Sequence, residues 1–130
     1  MNDQTHRERV AALHQRSFDL ACGILRAYPK PFLDDPSRVV WRQLVRAVTS
    51  ANFNSEEAEA ASSEADFLAK MRIALREVKE ARVAIRLIVA CELAGHEAVR
   101  GYEDEARQMA LIFAKIIVNK KANMERRSRF

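Results

Sequence analysis

Glycine and proline are scarce in this chain of 130 residues, with three of each, and the prolines are confined to Pro29, Pro31 and Pro36. The two strongest helix breakers are therefore missing from nearly the whole sequence, leaving it free to be helical. Strand alternation is missing too, because the β-branched residues fall in runs of at most three inside helix-period patterns. No run of about 18 apolar residues occurs, which excludes a membrane-spanning helix, and neither terminus carries the apolar core of a signal peptide. A cytoplasmic protein is expected. Cysteine is limited to Cys22 and Cys91, each alone in an apolar helical setting, so the expectation is buried, reduced thiols and no disulfide.

What remains is rich in alanine, leucine, glutamate, arginine and lysine, and long enough for one domain with a real core. Four amphipathic segments emerge. The first runs from about His6 to Tyr28, with Val10, Leu13, Leu20, Ala21, Ile24 and Tyr28 on one stripe. Phe18, Cys22 and Leu25 add a second apolar strip, which suggests a further burial surface. The second segment starts near Ser37, with Val40, Leu44, Val48 and Ala51 on one face, widened by Trp41 and Val45. Its pattern thins between Thr49 and Ser55, where a bend or irregularity without a full stop is expected. The sequence Ser63-Glu64-Ala65-Asp66 reads as an acidic relative of the capping box and opens a third helix reaching about Ala94, stopped by Gly95. That helix carries Phe67, Met71, Ala74, Leu75, Val78, Ala81, Ile85 and Val89 on its apolar face. The fourth uses Val99, Tyr102, Ala106, Met109, Phe113, Ile116 and Ile117, and is expected to fray into a disordered basic tail from about Ala122. Short connections between such helices predict an all-α, antiparallel up-down-up-down four-helix bundle forming a single domain over residues 1–130.

Gln43-Leu44-Val45-Arg46-Ala47, Ser50, Asn54 and Glu57 on the second helix are followed by Ser63-Glu64-Ala65-Asp66-Phe67, Ile73-Ala74-Leu75 and Glu80. In order and spacing this resembles the bacterial S23, or ribosomal-RNA intervening-sequence, protein family. Asn52 stands where the family has proline, Ala58 and Ala60 replace glycines, and Arg76 and Glu77 replace a glycine and a serine. The resemblance implies a four-helix bundle that assembles into a ring-like homopentamer without an established enzymatic activity. It assigns a structural role to Gln43, Arg46, Asn54, Glu57, Ser63, Asp66, Phe67 and Glu80. Asn54 and Glu57 are expected to hydrogen-bond the irregular part of the second helix or a subunit interface. A related group, the accessory proteins of diversity-generating retroelements, is basic, pentameric and associated with nucleic acid.

Catalytic constellations are absent. No histidine follows a glutamate by three residues, as a di-iron bundle requires, and His96-Glu97 begins a zinc motif that ends in Arg100 in place of the second ligand. His6, His14 and His96 read as surface or helix-end residues, and Glu56, Glu57 and Glu59 as a solvated acidic face. No catalytic residue, metal, cofactor or small-molecule substrate is assigned.

Charge is more informative. The net value is +4, yet residues 51–66 contribute only acids while residues 111–130 contribute Lys115, Lys120, Lys121, Arg126, Arg127 and Arg129 against Glu125 alone. On the third helix Arg72, Arg76, Lys79, Arg82 and Arg86 recur at steps of three or four, a stripe roughly 120° wide at the helical period. Two readings stand: phosphate-backbone binding by the stripe, with Lys120, Lys121, Arg126, Arg127 and Arg129 as auxiliary contacts, or a solvated face partly neutralised by Arg76 with Glu80. No aromatic residue interleaves the stripe, so base stacking and sequence reading are not expected. The expected protein is thus a non-enzymatic homo-oligomeric scaffold binding RNA or DNA without sequence preference, or a pure protein-interaction scaffold.

Overall fold

In the computed structural model, which describes residues 3–30 and 34–129, four long helices and one short one make up the chain. They are α1 (Asp3–Ala27), α2 (Asp35–Glu59), α3 (Glu64–Ala90), α4 (His96–Val99) and α5 (Tyr102–Ser128). No strand occurs among the described residues. Each long helix has 25 or 27 residues, or about 40 Å at 1.5 Å per residue. The helix boundaries trace to specific side chains. Asp34 caps α2 by accepting from the Ser37 backbone N–H at 2.8 Å, which holds its carboxyl below the usual carboxylate range, and Pro36 fits the first turn, where no helical N–H partner is lost. Ser63 caps α3 by accepting from the Asp66 N–H at 3.0 Å, and Asp66 reaches back to the Ser62 N–H at 3.3 Å, one residue before the cap.

Two boundaries differ from the sequence expectation. The second helix is not among them: it continues unbroken through Thr49–Ser55, because Asn52 in place of a proline keeps the backbone donor, and polar side chains satisfy themselves within the helix. Thr49 Oγ1 donates to the Val45 carbonyl, and Asn54 Nδ2 to the Ser50 carbonyl at 2.9 Å. The third helix stops at Ala90, before Gly95: Glu92 takes a left-handed backbone (φ 49°) and the Leu93 N–H closes onto the Ile88 carbonyl at 2.9 Å. The segment from Ala122, expected to be disordered, continues α5 as helix to Ser128. Pro31, part of the expected α1–α2 connection, lies outside the described residues.

Contacts run in opposite senses along each neighbouring pair of long helices. Tyr28 stacks edge-on against Trp41 (centroids 5.6 Å apart) while His14 meets Ser55. Trp41 Nε1 donates to the Ala94 carbonyl at 2.7 Å while Lys70 meets Glu57 at 3.0 Å. Arg82 approaches Glu103 at 3.7 Å while Glu64 meets Lys120 at 3.1 Å. The helices therefore close in the cyclic order α1, α2, α3, α5 as a four-helix bundle. The core is one cluster in which Trp41, Leu44, Met71, Val78, Ile85, Ile88, Met109 and Phe113 have no exposed surface. Most of the packing joins α3 to α2 and α5; α1 rests on α2 and makes its lighter long-helix contact with α5.

The α1–α5 approach is set at one end by Gly23, where an added Cβ would lie 2.8 Å from Tyr102 Cε1 and closer still to its Cζ and Oη. Gly23→Ala should lower stability by about 1–3 kcal/mol through overpacking, despite a helix-propensity gain of about 1 kcal/mol. Gly101 has open space around it and an ordinary backbone (φ −71°, ψ −14°), so Gly101→Ala should raise stability by about 0.4–1 kcal/mol. Urea midpoints shifted in opposite directions check the pair; a Gly23→Ala protein more stable than wild type would mean the Tyr102 ring leaves without loss.

Candidate nucleic-acid interface

The α3 stripe survives folding only in part. Arg72, Arg76, Lys79 and Arg86 are exposed and Arg82 is half-buried. Because α5 returns antiparallel beside α3, Glu103 in its first turn stands between Arg82 (3.7 Å) and Arg86 (3.6 Å) and offsets that half of the stripe. Arg76 pairs with Glu77 at 3.6 Å and not with Glu80, as helix spacing had suggested; Glu80 is exposed. Exposed Val83 and Leu87 lie within the same helix surface.

The basic C-terminal residues behave differently from a free tail. The antiparallel return brings them to the end of the bundle that holds the acidic α2–α3 hairpin, so charges far apart in sequence become neighbours. Glu64 pairs with Lys120 at 3.1 Å and with Arg127, and these bonds hold its carboxyl below the usual range. Lys120 also stands 5.5 Å above the Phe67 ring. Lys121, Arg126 and Arg129 stay exposed on helical or helix-end positions.

The structure assembles a second feature that the sequence reading did not contain. Where α1 and α5 diverge, a cleft of about 700 Å³ is lined by Arg9 and Arg16 on one wall and by Lys115, Lys120, Arg126 and Arg127 on the other. Leu13, Ile112 and Ile116 supply apolar lining, Asn119 and Asn123 polar lining, and among the described residues no acidic side chain lines it. Glu105 clamps Arg16 at one end, accepting from Nη2 at 2.5 Å and Nε at 3.0 Å, and Gln108 takes a third bond at 3.2 Å. Of the expected cations, only Lys120, Arg126 and Arg127 belong to this cleft. Arg9, Arg16 and Lys115 were missed because cations seven residues apart on α1 acquire meaning only once α5 closes the ring beside it.

The residues of the family pattern have local tasks. Ser63 and Asp66 cap α3, Phe67 packs beneath Lys120, Asn54 ties to Ser50 in its own helix and Glu57 bridges to Lys70 at 3.0 Å. Gln43 and Arg46 are exposed on α2. Trp41 is a core anchor, and Phe53 is 62 % exposed.

Two residue types depart from expectation. Both cysteines are free, but Cys22 is half-buried and Cys91, at the C-terminal cap of α3, is exposed. His14 is buried rather than at the surface: with its proton on Nε2, the ring accepts the Ser55 hydroxyl at Nδ1 (2.5 Å) and turns Nε2 toward Glu59 Oε2 at 3.2 Å, too bent for a full hydrogen bond. A serine, a histidine and a glutamate in contact invite comparison with a hydrolytic triad. Ser55 has no exposed surface and borders neither described cleft, so the group is a polar joint between α1 and α2. The side chain of His6 lies outside the described residues, and His96 contacts Glu97 within α4 at 3.2 Å. Among the described residues no cluster of three histidine, cysteine or acidic groups could hold a metal, and no helix is long and apolar enough to cross a membrane.

The family model described as 23S rRNA-intervening sequence protein matches residues 11–115, which is most of α1 through the middle of α5. The chain belongs to that family. Its fold is also that of a crystal structure of a protein with unknown function from the S23 ribosomal protein family of Bacteroides thetaiotaomicron. That protein is 28% identical, with a TM-score of 0.71 over 84% of this chain and 97% of the other. Among curated proteins none matches significantly. The family match ends at residue 115, so the α5 wall of the cleft from Asn119 onward lies outside it.

Burial pushes the pKa of His14 below the ordinary histidine value of 6.5, with Glu59 and then Glu56 pulling the other way. The unfolded chain therefore takes up this proton first, so the stability contribution is complete above the unfolded value and is lost as pH falls from 6.5 toward the folded value. The urea midpoint should drop between about pH 7.5 and pH 5.5, and drop less in His14→Gln; equal losses in both proteins would assign the dependence to other groups.

Proposed function

We propose that this chain is a non-enzymatic cytoplasmic scaffold that assembles with copies of itself, a pentamer favoured, and holds RNA or DNA by its phosphate backbone without reading sequence. The observation that carries the reading is the α1–α5 cleft, where six cationic side chains converge; among the described residues no carboxylate belongs to the lining, and Glu105 and Glu64 reach three of the six, Arg16, Lys120 and Arg127, from outside it. Such a surface gains affinity by displacing condensed counterions from a polyanion, and its arginines offer planar forks suited to phosphate oxygens. Among the described residues no aromatic side chain lines the cleft, which favours backbone contact over base stacking. Exposed Arg72 and Lys79 on α3 extend the positive surface around the bundle.

Self-assembly rests on apolar residues that one bundle leaves uncovered. Phe18 and Leu25 on α1 are 49% and 45% exposed, and Phe53 on α2 projects from the neighbouring helix. Burying them against another copy would remove apolar surface from water at about 25 cal/mol per Å². The same residues, with the neutralisation of Arg82 and Arg86 by Glu103, favour the second reading, a protein-interaction scaffold in which the cations only confer solubility.

Fluorescence anisotropy with short RNA and DNA probes across a salt series separates the two. Binding that falls steeply as salt rises is expected for phosphate contact; no binding at low salt would leave the protein-interaction reading. Light scattering tests assembly independently. A mass near five times the 14.8 kDa chain is expected, and a monomer at micromolar concentration would overturn the assembly claim.

A further inference from the structure

We infer that the α1–α5 cleft is a single-strand site, taking one unpaired run of RNA or DNA between its two walls; this rests on the nucleic-acid reading above. Three features point to a single strand over a duplex. First, cations stand on both walls. Arg9 and Arg16 are spaced along α1 and Lys115 and Arg126 along α5, over roughly 10 Å and 16 Å of helix respectively. A strand lying in the cleft meets charge from both sides, whereas a duplex resting across the rim reaches only the outermost groups. Neighbouring bundle helices have axes about 8–10 Å apart, so even where they diverge the space between them suits one chain and not a paired helix.

Second, the lining below the cations includes Ile112 and Ile116. A duplex keeps the faces of its bases stacked inside, but an unpaired base offers an apolar face that can rest on aliphatic side chains. Third, Asn119 and Asn123 punctuate the α5 wall among the cations. A primary amide both donates and accepts, so it can meet the base edges that pairing would otherwise occupy. The carboxylates nearest the cleft cations stand outside its lining. Glu105 fixes the Arg16 guanidinium, and Glu64 lies on α3, holding Lys120 and Arg127.

The test uses the full chain and two fluorescent probes, a twelve-residue homopolymer of uridine or thymidine and a duplex of equal length, titrated by anisotropy across a salt series. Two double variants accompany wild type: Arg9→Glu with Lys115→Glu in the cleft, and Arg72→Glu with Lys79→Glu on α3. All four residues are exposed, and unchanged circular dichroism and melting confirm that both variants fold. The single strand should bind at least about tenfold tighter than the duplex. The cleft variant should lose at least about tenfold and flatten the salt slope by about two units, with the α3 variant within about twofold of wild type. Equal affinity for the duplex, or loss in the α3 variant with the cleft variant intact, overturns the single-strand cleft and leaves nucleic-acid binding standing. Failure of both probes to bind wild type at low salt overturns both readings.

Discussion

Trp41 has no exposed surface, yet its indole N–H requires an acceptor, and it finds one in the Ala94 carbonyl beyond the end of α3. The Ala94 N–H in turn donates to Ser37 Oγ at 3.0 Å, one turn earlier on α2. Gly95, left-handed at φ 77°, lets the backbone lie against the same indole, where a Cβ would come within 2.9 Å. With Tyr28 edge-on to the ring, the end of α1, the start of α2 and the α3–α4 turn all meet at one side chain. This joint determines where α3 stops and α5 begins, and so which α5 residues come level with Arg9 and Arg16.

Much of this architecture is legible from residue order. Val10, Leu13, Leu20 and Ile24, then Leu44 and Val48, then Met71, Val78 and Ile85 are buried as their spacing indicates, because an apolar stripe at helical period has one way to leave water. Ser63 and Asp66 mark the start of α3 because capping is decided by side chains a few residues apart. The regularity of α2 was less legible than its continuity: polar residues at Asn52 and Asn54 suggest an irregularity, and the bond from Asn54 to the Ser50 carbonyl within the helix is not visible in residue order. His14 was not legible either, since its burial depends on Ser55 and Glu59, which lie forty residues away and reach it only when α2 folds back.

Electrostatics show the same division. An acidic stretch and a basic stretch can be read from the chain, and their separation in sequence suggests opposite poles. An even number of antiparallel helices reverses that picture by returning the C-terminus to the α2–α3 hairpin, so Glu64 faces Lys120 and Arg127. The exposed ion pairs there contribute little to stability individually. They orient cations: two of the six positive groups of the α1–α5 cleft, Lys120 and Arg127, are held by Glu64, whereas Lys115 and Arg126 on the same wall are not paired with it.

The cleft has walls of unequal firmness. α5 is sealed onto α3 by Ala106, Met109, Phe113 and Ile117, whereas α1 holds α2 partly through the polar layer of His14 and Ser55 and touches α5 lightly. Fewer apolar contacts and more hydrogen-bonded polar groups place α1 below α3 in local opening free energy. The α5 wall is anchored in the core as far as Ile117 and largely exposed beyond it, so the aperture is firmest at its Lys115 end and yields with α1 and with the last turns of α5.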